Sequence, residues 1–193
     1  MRFAYSRLSG YVVIAGLFIA LCTPESAQGD DVTIDVIEVA DGIYMLTGQG
    51  GNIGLSVGDD GAFLIDDQFA SLTEKILDAV ASVTDRPVKF VFNTHHHGDH
   101  TGGNAGLAAA GALIVAHDNV RVRLADAAAG ARPVITFTDA VTFHQNGEDI
   151  HAFHVANAHT DGDGVVHFRN TNVIHAGDTF FSGRYPFIDV GSG

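Results

Sequence analysis

Cysteine is almost absent from this 193-residue chain: there is one, Cys22, and it falls inside an N-terminal apolar run. Once that run is set aside, disulfides, thiolate metal ligands and thiol nucleophiles are all excluded. Positive charge is also scarce, with 10 Lys and Arg against 23 Asp and Glu and a net charge of -13. Such a surface repels phosphate backbones, so no nucleic acid is expected as a partner. Beyond the N-terminus no apolar run approaches the length of about 20 residues that a membrane span needs. Internal repeats and low-complexity linkers are missing as well.

Against these absences stand a hydrophobic content of 46% and a charged content of 17%, enough to bury a core and to exclude global disorder. The first 29 residues read as a signal peptide. Arg2 and Arg7 precede the apolar stretch Tyr11 to Cys22, the polar TPESAQGDD follows, and Ala27-Gln28-Gly29 offers small residues for cleavage after Gly29. The apolar stretch is short for a span, so removal rather than anchoring is expected, with no stable membrane attachment afterwards. The mature chain is then exported, periplasmic or secreted, and residues 30–193 form one domain.

Strand patterns dominate the first part. Val32 to Leu46 is β-rich and broken by Asp41-Gly42, and Asn52 to Val57 and Ala62 to Ile65 flank Gly58-Asp59-Asp60-Gly61 as a hairpin. Ser71-x-x-Glu74 reads as a capping box ahead of an amphipathic helix over 72–84. Val88 to Phe92 reads as a buried strand, Gly102-Gly103 opens an Ala-rich helix to about Ala110, and Ala112 to Ala116 is another buried strand. Asp118 is expected to cap a helix to about Ala128. Pro133 to Phe137 is a short strand, Asn146-Gly147 joins a hairpin, and a last strand pair surrounds Asn170-Thr171. The pattern predicts an α/β sandwich with sheets inside and helices outside.

Eleven histidines are present, and four of them lie between 95 and 100 in the run Thr94-His95-His96-His97-Gly98-Asp99-His100-Thr101-Gly102-Gly103. Where a strand continues, residues i and i+2 share a face, so His95 and His97 can hold one ion while His96 points away. Gly98 is expected to bend the chain so that Asp99 and His100 face a second ion, and Gly102 and Gly103 to turn it into the next helix. Imidazole and carboxylate suit Zn²⁺. A third His and a bridging carboxylate are still needed, and His159-Thr160-Asp161 and Gly177-Asp178, each after a strand, supply candidates. His117 begins a helix and is expected to cap or pack; the histidines at 144, 151, 154, 167 and 175 read as structural or solvated. Arg184 and Tyr185 are read either as contacts for an anionic substrate or as a solvated loop.

With these residues in place, the chain resembles the metallo-β-lactamase superfamily from about Val36 onward, including Leu64-Ile65-Asp66-Asp67, which looks like the family's early Asp-bearing strand. The resemblance implies an αββα sandwich. It implies one zinc on His95, His97 and His159, another on Asp99 and His100, Asp178 between them, and Asp66 orienting a ligand; a plain strand-end Asp is the other reading of Asp66. It further implies a zinc-dependent hydrolase in which metal-activated water attacks a carbonyl of a small-molecule substrate (lactam, lactone, ester or thioester), with Asp99 as the catalytic carboxylate. Two zinc ions are expected, with one as the alternative. The family's later His ligand has no counterpart before Gly191-Ser192-Gly193, so the C-terminal part of the sandwich is expected to be incomplete. Two rivals follow: a mononuclear Fe²⁺ persulfide dioxygenase on the same scaffold, and a truncated chain that binds metal without turnover. No Cys stands near Asp178, so the ligand set is closer to glyoxalase II-like members.

Overall fold

A computed structural model describes residues 31–192; the segment read as a signal peptide lies outside them. Seven strands form the larger sheet in chain order: β1 (Asp35–Ala40), β2 (Ile43–Thr47), β3 (Ile53–Ser56), β4 (Ala62–Ile65), β5 (Val88–Asn93), β6 (Leu113–His117) and β7 (Ile135–Phe137). Strands β1 to β4 are antiparallel neighbours, and β4 to β7 are parallel. The parallel half needs crossovers, supplied by α1 (Thr73–Ala81), by α2 (Gly98–Thr101) with α3 (Asn104–Ala109), and by α4 (Asp118–Arg123). The smaller sheet is an antiparallel meander of β8 (Ala140–Gln145), β9 (Glu148–His154), β10 (Gly164–Phe168) and β11 (Val173–His175).

The central strands of the larger sheet are buried on both faces, which is why β4 reads as a continuous apolar run and β5 as a nearly continuous one rather than as alternating patterns. Phe63, Ile65, Phe92, Val115 and Phe137 meet Ile150, Ala152, Val166 and Phe168 of the smaller sheet. Leu55, Leu64, Val91 and Ile114 face the opposite way and pack on Leu72, Ile76 and Val80 beside α1 and Leu107 of α3. Each such side chain contributes roughly 1.5–3 kcal/mol on burial. The sheets also lock through aromatic rings, with Phe63 and Phe143 edge to face at 4.9 Å. The layers are therefore helix, sheet, sheet. The outer side of the smaller sheet keeps His151, Phe153 and His167 partly exposed and Ile174 61% exposed.

Turn chemistry matches the sequence. Asn146 (φ 57°) and Gly147 (φ 74°) both take the positive φ that a tight two-residue hairpin requires. Asn146 also reaches across the sandwich, its Nδ2 donating to the Gly61 carbonyl at 2.8 Å.

Two helix starts differ from expectation. The capping box at Ser71 does not form: residues 70–72 make a 3-10 turn first, Leu72 occupies the cap position of α1, and no side chain caps it. The chain enters this turn from the buried Asp66–Gln68 corner, so packing sets the entry and overrides the local signal. The helix over 72–84 is shorter, ending at Ala81. In α4 it is His117, not Asp118, that caps, its ring accepting from the Asn119 N–H, and the helix stops at Arg123 rather than near Ala128.

Candidate metal centre

The parallel strands β4 and β5 end on one rim, where open α/β sheets place their sites. Asp66 follows β4 directly, and Thr94 and His95 follow β5. The chain stays extended through His97 (φ -63°, ψ 149°) and then closes into the single turn α2, with the Thr101 N–H donating to the His97 carbonyl at 3.1 Å. His95 and His97 thus share the extended geometry read from sequence, while Asp99 and His100 sit on the turn beyond.

Glycine's part in this segment differs from expectation. Gly98 keeps a negative φ, and a Cβ there would touch nothing within 4 Å, so it is not a bend that demands glycine. Gly102 and Gly103 also keep negative φ (-65° and -78°). Their constraint is close approach: a Cβ on Gly102 would lie 2.7 Å from the Gln68 and Gly98 carbonyls, and one on Gly103 2.8 Å from that of Asp67.

Two clusters of donor atoms result. In the first, the His97 Nδ1 lies 3.1 Å from both His95 Nε2 and His159 Nε2. Each ring has its other nitrogen engaged: His95 Nδ1 with Thr94 Oγ1 at 3.1 Å, His97 Nε2 with Asp189 Oδ2 at 3.0 Å, His159 Nδ1 with the Phe187 carbonyl at 2.6 Å. These partners leave three lone pairs converging on one point, a set that protons cannot satisfy together and a cation can. In the second cluster, His100 donates from Nδ1 to Asp66 Oδ2 at 2.7 Å. Its Nε2 is buried with no hydrogen-bond partner, 3.3 Å from Asp178 Oδ1 and 3.5 Å from Asp99 Oδ2.

Asp178 joins the two clusters: Oδ1 faces His100, while Oδ2 lies 3.7 Å from His159 Nε2. Sequence reading of His95, His97, Asp99, His100, His159 and Asp178 therefore named residues that the fold brings together. His96 points out of both clusters, as its i+1 position requires. Asp66 is no plain strand-end residue. Fully buried, it accepts from Thr94 N–H and Thr94 Oγ1 at 2.7 Å each and from His100, so it orients His100 directly and His95 through Thr94.

Electrostatics agree with a cation site. Burial holds the His95 imidazole far below its ordinary value, with His100, His159 and His97 adding to the effect, so its lone pair is free at all working pH. Burial would also lower His100, but Asp66, Asp178 and Asp99 reverse this and push it up to about 12. The pocket around His100 holds positive charge strongly. The nearby His100 imidazole lowers Asp99, and it lowers Asp178 as well despite the burial of that carboxylate. The donor set, the orphaned His100 Nε2 and this field all fit a divalent cation.

The Asp189 contact was not legible in the sequence. Its carboxylate lies 92 residues from His97, in a segment without periodicity or motif. Beside the centre opens a cleft of about 420 Å³ lined by His100, Asp178, Tyr44, Ile174, Phe180, Phe181 and Arg184. Arg184 lies over the Phe181 ring at 4.9 Å; Tyr185 is 95% exposed and does not line the cleft.

Fold and site together define a two-sheet sandwich with a His/Asp centre at one rim. The pattern of the metallo-beta-lactamase superfamily matches residues 46–193, and the chain belongs to that superfamily. It is 32% identical over 96 residues to a hydroxyacylglutathione hydrolase of Pelagibacter ubique (strain HTCC1062), a match that covers 49% of this chain and 37% of that protein. Among solved structures it resembles a metallo-beta-lactamase from Pontibacter korlensis, with a TM-score of 0.68 and 22% identity over 75% of this chain and 71% of that one. The DIM-1 metallo-beta-lactamase is similar at a TM-score of 0.65 and 18% identity, covering 76% and 70%. At these identities the structural likeness is one of fold.

Proposed function

We propose that the chain is a zinc-dependent hydrolase that cleaves a carbonyl-centred bond in a small-molecule lactam, lactone, ester or thioester. The observation that carries this reading is the Asp178 carboxylate, which presents one oxygen to the His100 cluster and the other to the His95/His97/His159 cluster. A carboxylate so placed suits a pair of ions rather than one. The printed names of the relatives, a hydroxyacylglutathione hydrolase and metallo-beta-lactamases, support hydrolysis.

His95, His97 and His159 would hold one ion, and Asp99 and His100 the other, with Asp178 shared. Bound zinc supplies water activation near neutral pH and polarisation of the scissile carbonyl. The buried wall of the site is His95, His100 and His159, whereas His97, Asp99 and Asp178 keep 23–36% of their side chains exposed and form the open lip. Asp99, kept ionised by His100, would orient the nucleophile and take up its proton. Phe180, Phe181 and Ile174 give the cleft apolar walls for a substrate body. Arg184 supplies a cation at its edge for an anionic group.

The test is metal content of dialysed protein by elemental mass spectrometry, followed by a panel of lactams, lactones, esters and thioesters. About two zinc per chain and turnover of at least one substrate class are expected. Asp99→Asn should lower kcat/KM about 100-fold or more with little change in thermal stability. Inertness of the zinc-loaded protein across the panel would sink the reading. Iron near one per chain, with oxygen uptake on a persulfide, would replace it with the dioxygenase.

A further inference from the structure

The segment from Phe187 to Ser192 carries no motif, yet it grips the first His cluster at three points. The Phe187 carbonyl accepts from His159 Nδ1 at 2.6 Å, the Asp189 N–H donates to the His159 carbonyl at 2.9 Å, and Asp189 Oδ2 accepts from His97 Nε2 at 3.0 Å. The Asp189 carboxylate is itself fixed: the Ser192 hydroxyl donates to Oδ2 at 2.6 Å and the Gly191 N–H to Oδ1 at 3.0 Å. Ser192 is buried, and its carbonyl accepts from the Asp161 N–H, which ties the segment to the loop that carries His159.

The consequence lies in the His97 tautomer. A neutral imidazole has one N–H and one lone pair. With the N–H at Nε2 donated to Asp189, the lone pair sits at Nδ1, facing His95 Nε2 and His159 Nε2 at 3.1 Å each. The other tautomer would drive a proton into that convergence and leave the Asp189 carboxylate facing a lone pair. Hydrogen bonds of the segment reach His97, His159 and Asp161, whereas His100 is held from the opposite side by Asp66. Asp66 also reaches His95 through Thr94, so what the segment alone supplies is its hold on His97 and His159.

We propose that Asp189 is a positioning residue that fixes His97 in its Nδ1-binding tautomer, and that residues 187–192 are the strap that sets cation affinity in the His95/His97/His159 cluster alone. This rests on the metal reading above. Its signature is asymmetry between the clusters. Following the loss typical when a partner of a metal-binding imidazole is removed, Asp189→Ala weakens zinc binding at the first cluster about 10- to 100-fold and leaves the Asp99/His100/Asp178 cluster unchanged. Asp189→Asn, which keeps an acceptor without the charge, falls between.

The experiment is zinc titration of the metal-free full chain, followed by imidazole nitrogen NMR so that each histidine reports its own filling. Metal-free wild type is expected to show the proton of His97 on Nε2, protected from exchange, and Asp189→Ala to lose that protection. Equal weakening of both clusters, wild-type affinity at both, or a His97 proton found on Nδ1 would each overturn the proposal. If wild type takes up no zinc, the hydrolase reading fails by itself, and the metal-free tautomer comparison still decides the role of Asp189. Should Asp189→Ala not fold, Ser192→Ala removes only the hydroxyl that steadies the carboxylate, and the same asymmetry is expected at smaller size; its absence there counts against the strap.

Discussion

Asp66 shows how one side chain organises chemistry at a distance. It holds a positive φ of 65°, a strained conformation for a residue other than glycine, and does so fully buried. Its carboxylate repays that strain by accepting from the Thr94 N–H, the Thr94 hydroxyl and His100. Asp66→Asn isolates this role, because Asn tolerates the same backbone region. An amide cannot accept on both sides, so its NH₂ group faces an existing donor whichever way it turns. Stability should fall by about 1–3 kcal/mol, and zinc affinity at the His100 cluster about 10- to 100-fold. Denaturant melts and a zinc titration check the two effects separately, and wild-type values in both would show Asp66 to be an ordinary strand end. The six candidate ligands were legible because they sit at strand ends in a spacing with a geometric meaning. Asp66 stayed open between two readings because its partners lie 28 and 34 residues away. Contacts that bring such distant side chains together leave no period in the sequence.

At the scale of elements, strands were read well and helix starts poorly. Apolar runs and turn residues act over a few positions, so β1 to β11 lie close to where the pattern put them. Caps depend on how the chain arrives from the preceding element, which is why Ser71 lost its role and His117 gained one. The glycines around α2 make the same point and yield a sharp contrast. Ala is preferred to Gly inside helices by about 1 kcal/mol, so propensity alone favours Ala at positions 98 and 102 equally. Close approach reverses the sign at one of them. Gly102→Ala forces a Cβ against two carbonyl oxygens and should destabilise by about 1–3 kcal/mol. Gly98→Ala meets open space and should be neutral or stabilising. Thermal melts of the two variants decide it; equal effects would mean that the β4 corner does not press on α2 as described.

For the whole molecule, the clusters straddle the sandwich. His95, His97 and His100 follow β5 of the larger sheet, while His159 and Asp178 come from loops of the smaller one. The sheets are also joined by apolar side chains, by Asn146, by the Gly164 N–H donating to the Thr94 carbonyl at 2.7 Å and by His175 Nε2 donating to the Asn52 carbonyl at 3.0 Å. A cation at the rim is therefore a polar bond between layers, and its removal should be felt as stability rather than as a local change. Binding to the folded state alone contributes about 2.7 kcal/mol when free metal stands at 100 times its Kd. For a domain of this size that is a rise in Tm of roughly 5–10 °C on adding zinc, abolished by chelator. The cross-sheet arrangement adds a condition that simple binding lacks. Removing the shared carboxylate from the smaller sheet, by Asp178→Ala, should cut the zinc-induced rise, because Asp99 and His100 then meet no group of the smaller sheet while His159 still carries the first cluster across. The metal-free Tm should fall only modestly, since Asp178 is partly exposed, Asp66 and Asp99 remain beside His100, and no apolar packing is lost. A full zinc-induced rise in Asp178→Ala would mean that Asp178 holds no ion. A smaller rise with a nearly unchanged metal-free Tm would mean that an ion held through Asp178 ties the two sheets together beside the His159 link.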